Sequence, residues 1–156
     1  MGAVAISGID LCAPVGTAVH AFADGEIFLC AFYPEKYDWG HVVVTKHRLQ
    51  AKTRQQQGDA GVAPSTSSDV DVWALHGHLS AASLAGKTSG DAVKQGDVLG
   101  WMGEPEENGE WFPHTHFQLI MLQPAIADCP GVVAARHREL AKLLYPDPRM
   151  VIGELW

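Results

Sequence analysis

Several classes of protein are excluded by what this chain of 156 residues has little of. It carries three cysteines, Cys12, Cys30 and Cys129, widely spaced and in no Cys-x-x-Cys pair. Neither a disulfide framework nor a thiolate zinc knuckle is expected from them; reduced thiols serving as small core residues are. No run approaches the roughly 18 consecutive apolar residues of a membrane span, and no basic segment followed by an apolar one opens the chain. The expectation is a cytoplasmic protein with no membrane partner. Positive charge is scarce, 11 Lys and Arg against 18 Asp and Glu, for a net charge of −7. A nucleic-acid partner is not expected, because neutralising phosphates takes clustered cations.

What is present fits a single globular domain over residues 1–156. Hydrophobic residues make up 47% and charged residues 19%, proportions that exclude disorder of the whole chain, and the length suits one sizeable core. Short apolar runs separated by turn residues predict strands over 4–6 and 9–12. A β-prone run at 17–22 ends at Asp24-Gly25, which predicts a hairpin into a returning strand over 26–33. A β-branched alternation predicts another strand over 41–47. From Arg48 to Asp71 the composition turns to Gln, Ser, Thr, Gly, Ala and Pro with no apolar period, which predicts a flexible insertion over 48–71 joining two strands. The β pattern resumes over 72–78.

One helical turn is expected at 80–84, then strand, tight turn and strand within 92–102, and a solvated acidic loop over 104–110. A last strong strand follows at 114–122. The charge and Ala/Leu content of 134–144 predict an amphipathic helix stopped by Tyr145-Pro146-Asp147-Pro148, within a C-terminal helical extension over 130–156. The fold class is therefore mainly β: a compact antiparallel sheet or barrel-like sandwich of short hairpin strands, with one C-terminal helix.

Four of the eight histidines fall into two His-x-His pairs, His76 with His78 and His114 with His116. On a strand, residues two apart share a face, so each pair aims two imidazoles at one point. That suits a metal; a catalytic zinc takes three protein ligands and leaves a position for water. The lone histidines His20, His41, His47 and His137 read as surface or satisfied structural residues. Trp39, Trp101 and Trp111 either line a groove or pack at the core or its rim.

Four segments carry a resemblance: Gly8 to Ile27 with its Gly8-Ile9-Asp10, His76-Gly-His-Leu-Ser, the stretch Gly90 to Gly100, and Pro113-His-Thr-His-Phe-Gln-Leu. In order and spacing, from about residue 4 to residue 122, they resemble the LytM or lysostaphin-type zinc endopeptidases. The resemblance implies a duplicated hybrid β motif and a peptidoglycan cross-link as the usual substrate. It implies Asp10 and His116 as zinc ligands, with His78 and His114 orienting the attacking water and stabilising the oxyanion. The family pattern His-x-Gly-x-Asp is represented here by Ile6-Ser7-Gly8-Ile9-Asp10. Isoleucine carries no donor atom, so the implied site is one ligand short, zinc is weak or absent, and the domain is expected to be catalytically degenerate. The alternative is an active zinc endopeptidase with a substitute ligand. His76 is the candidate, since it stands where the family shows tyrosine and would share a face with His78 on an extended strand.

The tail, from Glu107 through Cys129-Pro-Gly-Val-Val to Tyr145-Pro-Asp-Pro-Arg-Met-Val-Ile-Gly, looks like the version of this domain inside fusion proteins. There it lies between an aminoglycoside-phosphotransferase-like kinase and a class III, pyridoxal-phosphate aminotransferase. The implied partners are neighbouring domains of such a protein, or a peptide or small-molecule ligand. The chain has no aminotransferase lysine motif, so no cofactor besides zinc is expected in it.

Overall fold

The computed structural model describes residues 4–50 and 69–153, with side chains from residue 7 onward. In chain order the strands are β1 (Val4–Ile6), β2 (Ile9–Cys12), β3 (Ala18–His20), β4 (Gly25–Tyr33), β5 (Gly40–Gln50), β6 (Asp69–Leu79), β7 (Ala92–Val93), β8 (Val98–Trp101), β9 (His114–Ile120) and β10 (Val132–Ala134). Helices α1 (Arg138–Leu144) and α2 (Arg149–Ile152) follow. The expected class, mainly antiparallel β with a short C-terminal helix, is the one found. A six-stranded sheet runs β2-β9-β6-β5-β4-β7, and β1 with β10 and β3 with β8 form two small ribbons.

The middle of that sheet is buried on both faces. Val42, Val43, Val44 and Thr45 of β5 are β-branched, which suits a pleated strand, and all four are fully buried. Val43 packs with Ile27, Leu79 and Leu99. Val42 and Val44 pack with Trp73, Leu75 and Ile120. The alternate residues of β6 and β9, Ala74, Phe117 and Leu119 among them, form a third cluster. The apolar run on β5 therefore serves two cores, as central strands covered on both sides do.

The Asp24-Gly25 hairpin does not form. β3 pairs with β8, while β4 pairs with β5 and β7, so the two segments expected to fold back on themselves run alongside each other instead. Asp24 serves the second of them: its carboxylate accepts the Gln95 N–H at 2.9 Å and the Lys94 ammonium at 3.0 Å. Gly25 is needed for close approach rather than for a turn, since a Cβ there would collide with the Lys46 carbonyl and the His47 ring.

The polar stretch expected over 48–71 is entered by strand at both ends. Arg48, Leu49 and Gln50 pair with Asp71, Val70 and Asp69, and Arg48 Nε lies 3.0 Å from Asp71 Oδ1. Cross-strand charge pairs on one side, with Leu49 and Val70 packed against the third cluster on the other, carry both strands into a stretch whose polar composition placed the boundary too early. Residues 51–68 of the expected insertion lie outside the described residues. At the other end of the chain the extension from 130 opens with a strand, because β10 pairs with β1. α1 therefore starts at Arg138, after a single 3-10 turn over Ala135–His137. The Pro146-Asp147-Pro148 stop also starts α2, whose Arg149 N–H is accepted by Asp147 Oδ1 at 3.0 Å.

Of the three thiols only Cys129 is buried; Cys30 is half-buried and Cys12 is exposed, so Cys12 is not the core residue expected. Burial pushes the Cys129 thiol up to about 12. Among the described residues no helix is long and apolar enough to cross a membrane.

Leu75 is fully inaccessible at the centre of β6. Leu75→Ala is expected to lower unfolding stability by about 2–5 kcal/mol, the range for a cavity at such a site, measured by urea denaturation; a loss under about 1 kcal/mol would contradict this packing.

Candidate functional site

Strand register gathers the histidines. Asp10 of β2 stands opposite His116 of β9, and Cys12 opposite His114; on β6, Gly77 stands opposite His116 and His76 opposite Phe117. Directly opposed residues project to the same side of the sheet, so Asp10, His114 and His116 rise from one face and His76 and Phe117 from the other. Plain alternation would put His78 with His76. Between the pairs His41/Leu79 and Val43/His76, however, β6 carries one residue more than β5, and His78 adopts φ +62°. The bulge re-aims the side chain. The His78 ring lies 4.4 Å from that of His114 and 5.5 Å from that of Trp39, on the groove side.

The four residues expected from the motifs, Asp10, His78, His114 and His116, therefore meet in one groove of about 390 Å³. His76 does not join them. It is buried on the opposite face, 5.2 Å from the Phe117 ring, and neither ring nitrogen has a hydrogen-bond partner. The expected common face of His76 and His78 fails because the bulge separates them. Gly77, between the two, lets Trp39 lie across the strand: a Cβ would stand 2.8 Å from Trp39 Cε3. A larger cavity of about 620 Å³ lies between β2 and the C-terminal helices and contains none of the four.

Hydrogen bonds fix the rings. His78 Nδ1–H donates to the Asn108 carbonyl at 2.9 Å and His114 Nδ1–H to the Phe112 carbonyl at 2.6 Å, so each keeps Nε2 for the groove. His114 Nε2 stands 3.8 Å from Asp10 Oδ1. His116 is engaged at both nitrogens: Nδ1 is 2.7 Å from Asp10 Oδ1 and Nε2 is 3.0 Å from Gln118 Oε1. The Ser7 hydroxyl lies between that amide oxygen and the Pro130 carbonyl, the nearer of the two. The hydrogen bond from His116 holds the Asp10 carboxyl below its ordinary 3.8, against partial burial. Burial pushes His78 down to about 4 and His76 down to about 3.

Sequence reasoning passed over four supporting residues. Asn108 lies inside the loop expected to be solvated, yet it is fully buried. Its amide joins Gly103 and Trp111, while its carbonyl holds His78. Glu107 caps the same loop, accepting the Ala81 N–H at 2.8 Å and the Glu104 N–H at 3.2 Å; Glu104 and Glu106 are solvated as expected. Gln118, two residues beyond His116 on the same strand face, was legible from its spacing. Tyr37 lines the groove without any motif to announce it. Trp39 and Trp111 prove to be groove residues and Trp101 does not. Of the lone histidines, His20 and His137 are exposed, while His41 and His47 are buried and hydrogen-bonded.

Zinc is the metal implied for such a groove, and a catalytic zinc takes three protein ligands. Asp10 and His116 are in place but bonded to each other, and the second nitrogen of His116 meets Gln118. Position 6, where β1 pairs with Val132, carries isoleucine. His76 is on the wrong face. Among the described residues no group of three or more His, Cys, Asp or Glu is disposed to hold a metal ion. The donor set does not fit a three-ligand zinc.

No family profile and no curated protein matches the chain. Solved structures do. The catalytic domain of a point mutant of the prophage-encoded M23 protein EnpA from Enterococcus faecalis is 24% identical, with 77% of this chain and 71% of that one covered and a TM-score of 0.50. The chain has the fold of an M23 peptidase catalytic domain. It is also similar to the catalytic domain of the antimicrobial peptidase lysostaphin from Staphylococcus simulans (18% identity, 87% and 78% covered, TM-score 0.49). LytU is similar at 19% identity, 89% and 79% covered and a TM-score of 0.49. The groove lies on one face of the central sheet of this M23 fold, against the strand pair β2 and β9.

The two buried imidazoles make stability depend on pH. Unfolded, both take up a proton near 6.5; folded, they resist until about 4 and about 3. Between those values the unfolded chain binds more protons, so their contribution is fully present above 6.5 and is lost as pH falls, through about 4 for His78 and about 3 for His76. Urea midpoints are expected to drop across that window, with the ring-carbon resonances of His76 and His78 unchanged by NMR down to pH 5. Either ring titrating near 6.5 would contradict this.

Proposed function

We propose that this chain is a metallopeptidase-like domain that has lost zinc hydrolysis and keeps its groove to bind a peptide or small-molecule ligand. The observation that carries the reading is a groove otherwise complete but one donor short. Asp10, His78, His114 and His116 converge, while position 6 offers isoleucine and both nitrogens of His116 face side-chain oxygens, those of Asp10 and Gln118. A buried site that loses one ligand of three loses most of its affinity for metal, whereas the walls that receive a ligand do not depend on that ligand. The domain serves as a structural or ligand-binding module of a larger cytoplasmic protein with kinase-like and aminotransferase-like neighbours. Leu140 and Leu143, three residues apart and so on one face of α1, are both exposed, a face that such a neighbour would cover.

A second reading is an active zinc endopeptidase with a substitute ligand, acting on peptidoglycan-type or Gly-rich peptides. His114 favours it: with Nδ1–H on a carbonyl and Nε2 3.8 Å from Asp10, it is oriented as metal-binding imidazoles are. Elemental analysis of protein purified without chelator or affinity metal, run beside a pentaglycine cleavage assay, separates the two. The expected result is zinc far below one per chain and no chelator-sensitive cleavage. One zinc per chain, lost in His114→Ala together with cleavage, would overturn the first reading in favour of the second.

A further inference from the structure

The walls of the groove say what kind of ligand it takes. Its aromatic surface is Tyr37, Trp39 and Trp111, and its charged side chains are Asp10 and Asp38; no lysine or arginine lines it. Both indole N–H groups are already used at the edge of the ring, Trp39 Nε1 donating to Asp128 Oδ1 at 2.7 Å and Trp111 Nε1 to the Asp38 carbonyl at 3.2 Å. What the indoles have left to offer is the π-face, the part that attracts a cation. One Asp38 carboxylate oxygen accepts the backbone N–H of Trp39, and half of the Asp10 side chain is exposed. On the outer side, Lys36 holds its ammonium 5.0 Å from the centre of the Tyr37 ring. That ammonium is held by the Glu110 carboxylate, with the Tyr37 ring as its second neighbour.

We infer that the groove recognises an organic ammonium group, seated against Trp39 and Trp111 and neutralised by Asp10 and Asp38. The inference rests on the groove being a ligand-binding site. An anion would meet two carboxylates with no lysine or arginine in the lining to offset them, and a neutral apolar ligand would strip water from their remaining oxygens without replacing it. An alkylammonium meets both requirements at once, and its weakly hydrated alkyl shell costs little to desolvate against aromatic rings. A volume of about 390 Å³ leaves room for a substituent beyond the ammonium.

Titration calorimetry tests this, in a chelator-containing buffer with ionic strength matched by sodium chloride. Choline is compared with its neutral isostere, in which a quaternary carbon replaces the nitrogen. Choline is expected to saturate and to bind at least ~10-fold more tightly than the isostere, as cation recognition by partly desolvated aromatics requires. Trp111→Leu and Asp38→Asn, both in the exposed wall, should each remove most of that preference. Triglycine against its N-acetylated form identifies the source of the ammonium. Preference for the free amine assigns a peptide N-terminus, and preference for choline alone assigns a small ammonium compound; both support the inference. Equal binding of choline and its isostere, or no saturation by either cation, overturns it. One zinc per chain in untreated protein would overturn the non-hydrolytic reading while leaving the isostere comparison intact. Saturable binding of a neutral ligand with no preference for cations would do the reverse.

Discussion

The groove exists because β6 carries one residue more than β5 between His76 and Leu79, and the strand absorbs it by holding His78 at φ +62°. A non-glycine residue in that region costs on the order of 1–3 kcal/mol and persists only where its surroundings hold it there. Here they do: the Asn108 carbonyl takes the Nδ1 proton, and the rings of Trp39, Trp111 and His114 pack around the imidazole. Without the bulge His78 would follow His76 into the apolar cluster around Phe117, and the groove would lose its back wall. Gly77 completes the device, since only a residue without a side chain lets Trp39 lie over the strand at that point.

The remaining walls depend on the same few contacts. Asn108 is the hub of the loop that presents Trp111, bonding to that residue's N–H and carbonyl and to Gly103, so one buried amide positions both His78 and a tryptophan. On the opposite side a chain of polar contacts runs from Asp10 through His116 and Gln118 to Ser7. Such networks are rigid when every member is satisfied. In this one the partners that His116 has are side chains, which explains how the scaffold keeps its shape with isoleucine at position 6.

The sheet was legible in the sequence wherever one residue type dominated a strand. The run Val42-Val43-Val44-Thr45 and the alternation at 114–120 both specify burial through their own side chains, and the motifs around Asp10, His78, His114 and His116 named residues that do come together. Partner choice was not legible. Asp24-Gly25 has the chemistry of a hairpin, yet β3 pairs with β8, and β4 pairs with β5 along its length and with β7 at its start; the two pairings with the 92–101 segment join residues about 70 positions apart that no local pattern encodes. The bulge was invisible for a related reason: His76-Gly-His reads as a strand of period two, and the extra residue appears only when β6 is matched against β5. Asn108 was hidden by its neighbours, four glutamates that mark the loop as solvated while the one amide among them turns inward.

On the function proposed for this M23 fold, the difference between hydrolysis and binding lies at one position, Ile6. Restoring that position tests the idea most directly: Ile6→His, loaded with zinc and dialysed, then assayed for metal content and for the crystallographic position of the ion. The expected result is about one zinc per chain on the introduced imidazole, Asp10 and His116, lost again when His116→Ala is added, with the native chain retaining almost none. No zinc in the Ile6→His variant, or zinc held as tightly by the native chain, would contradict the account.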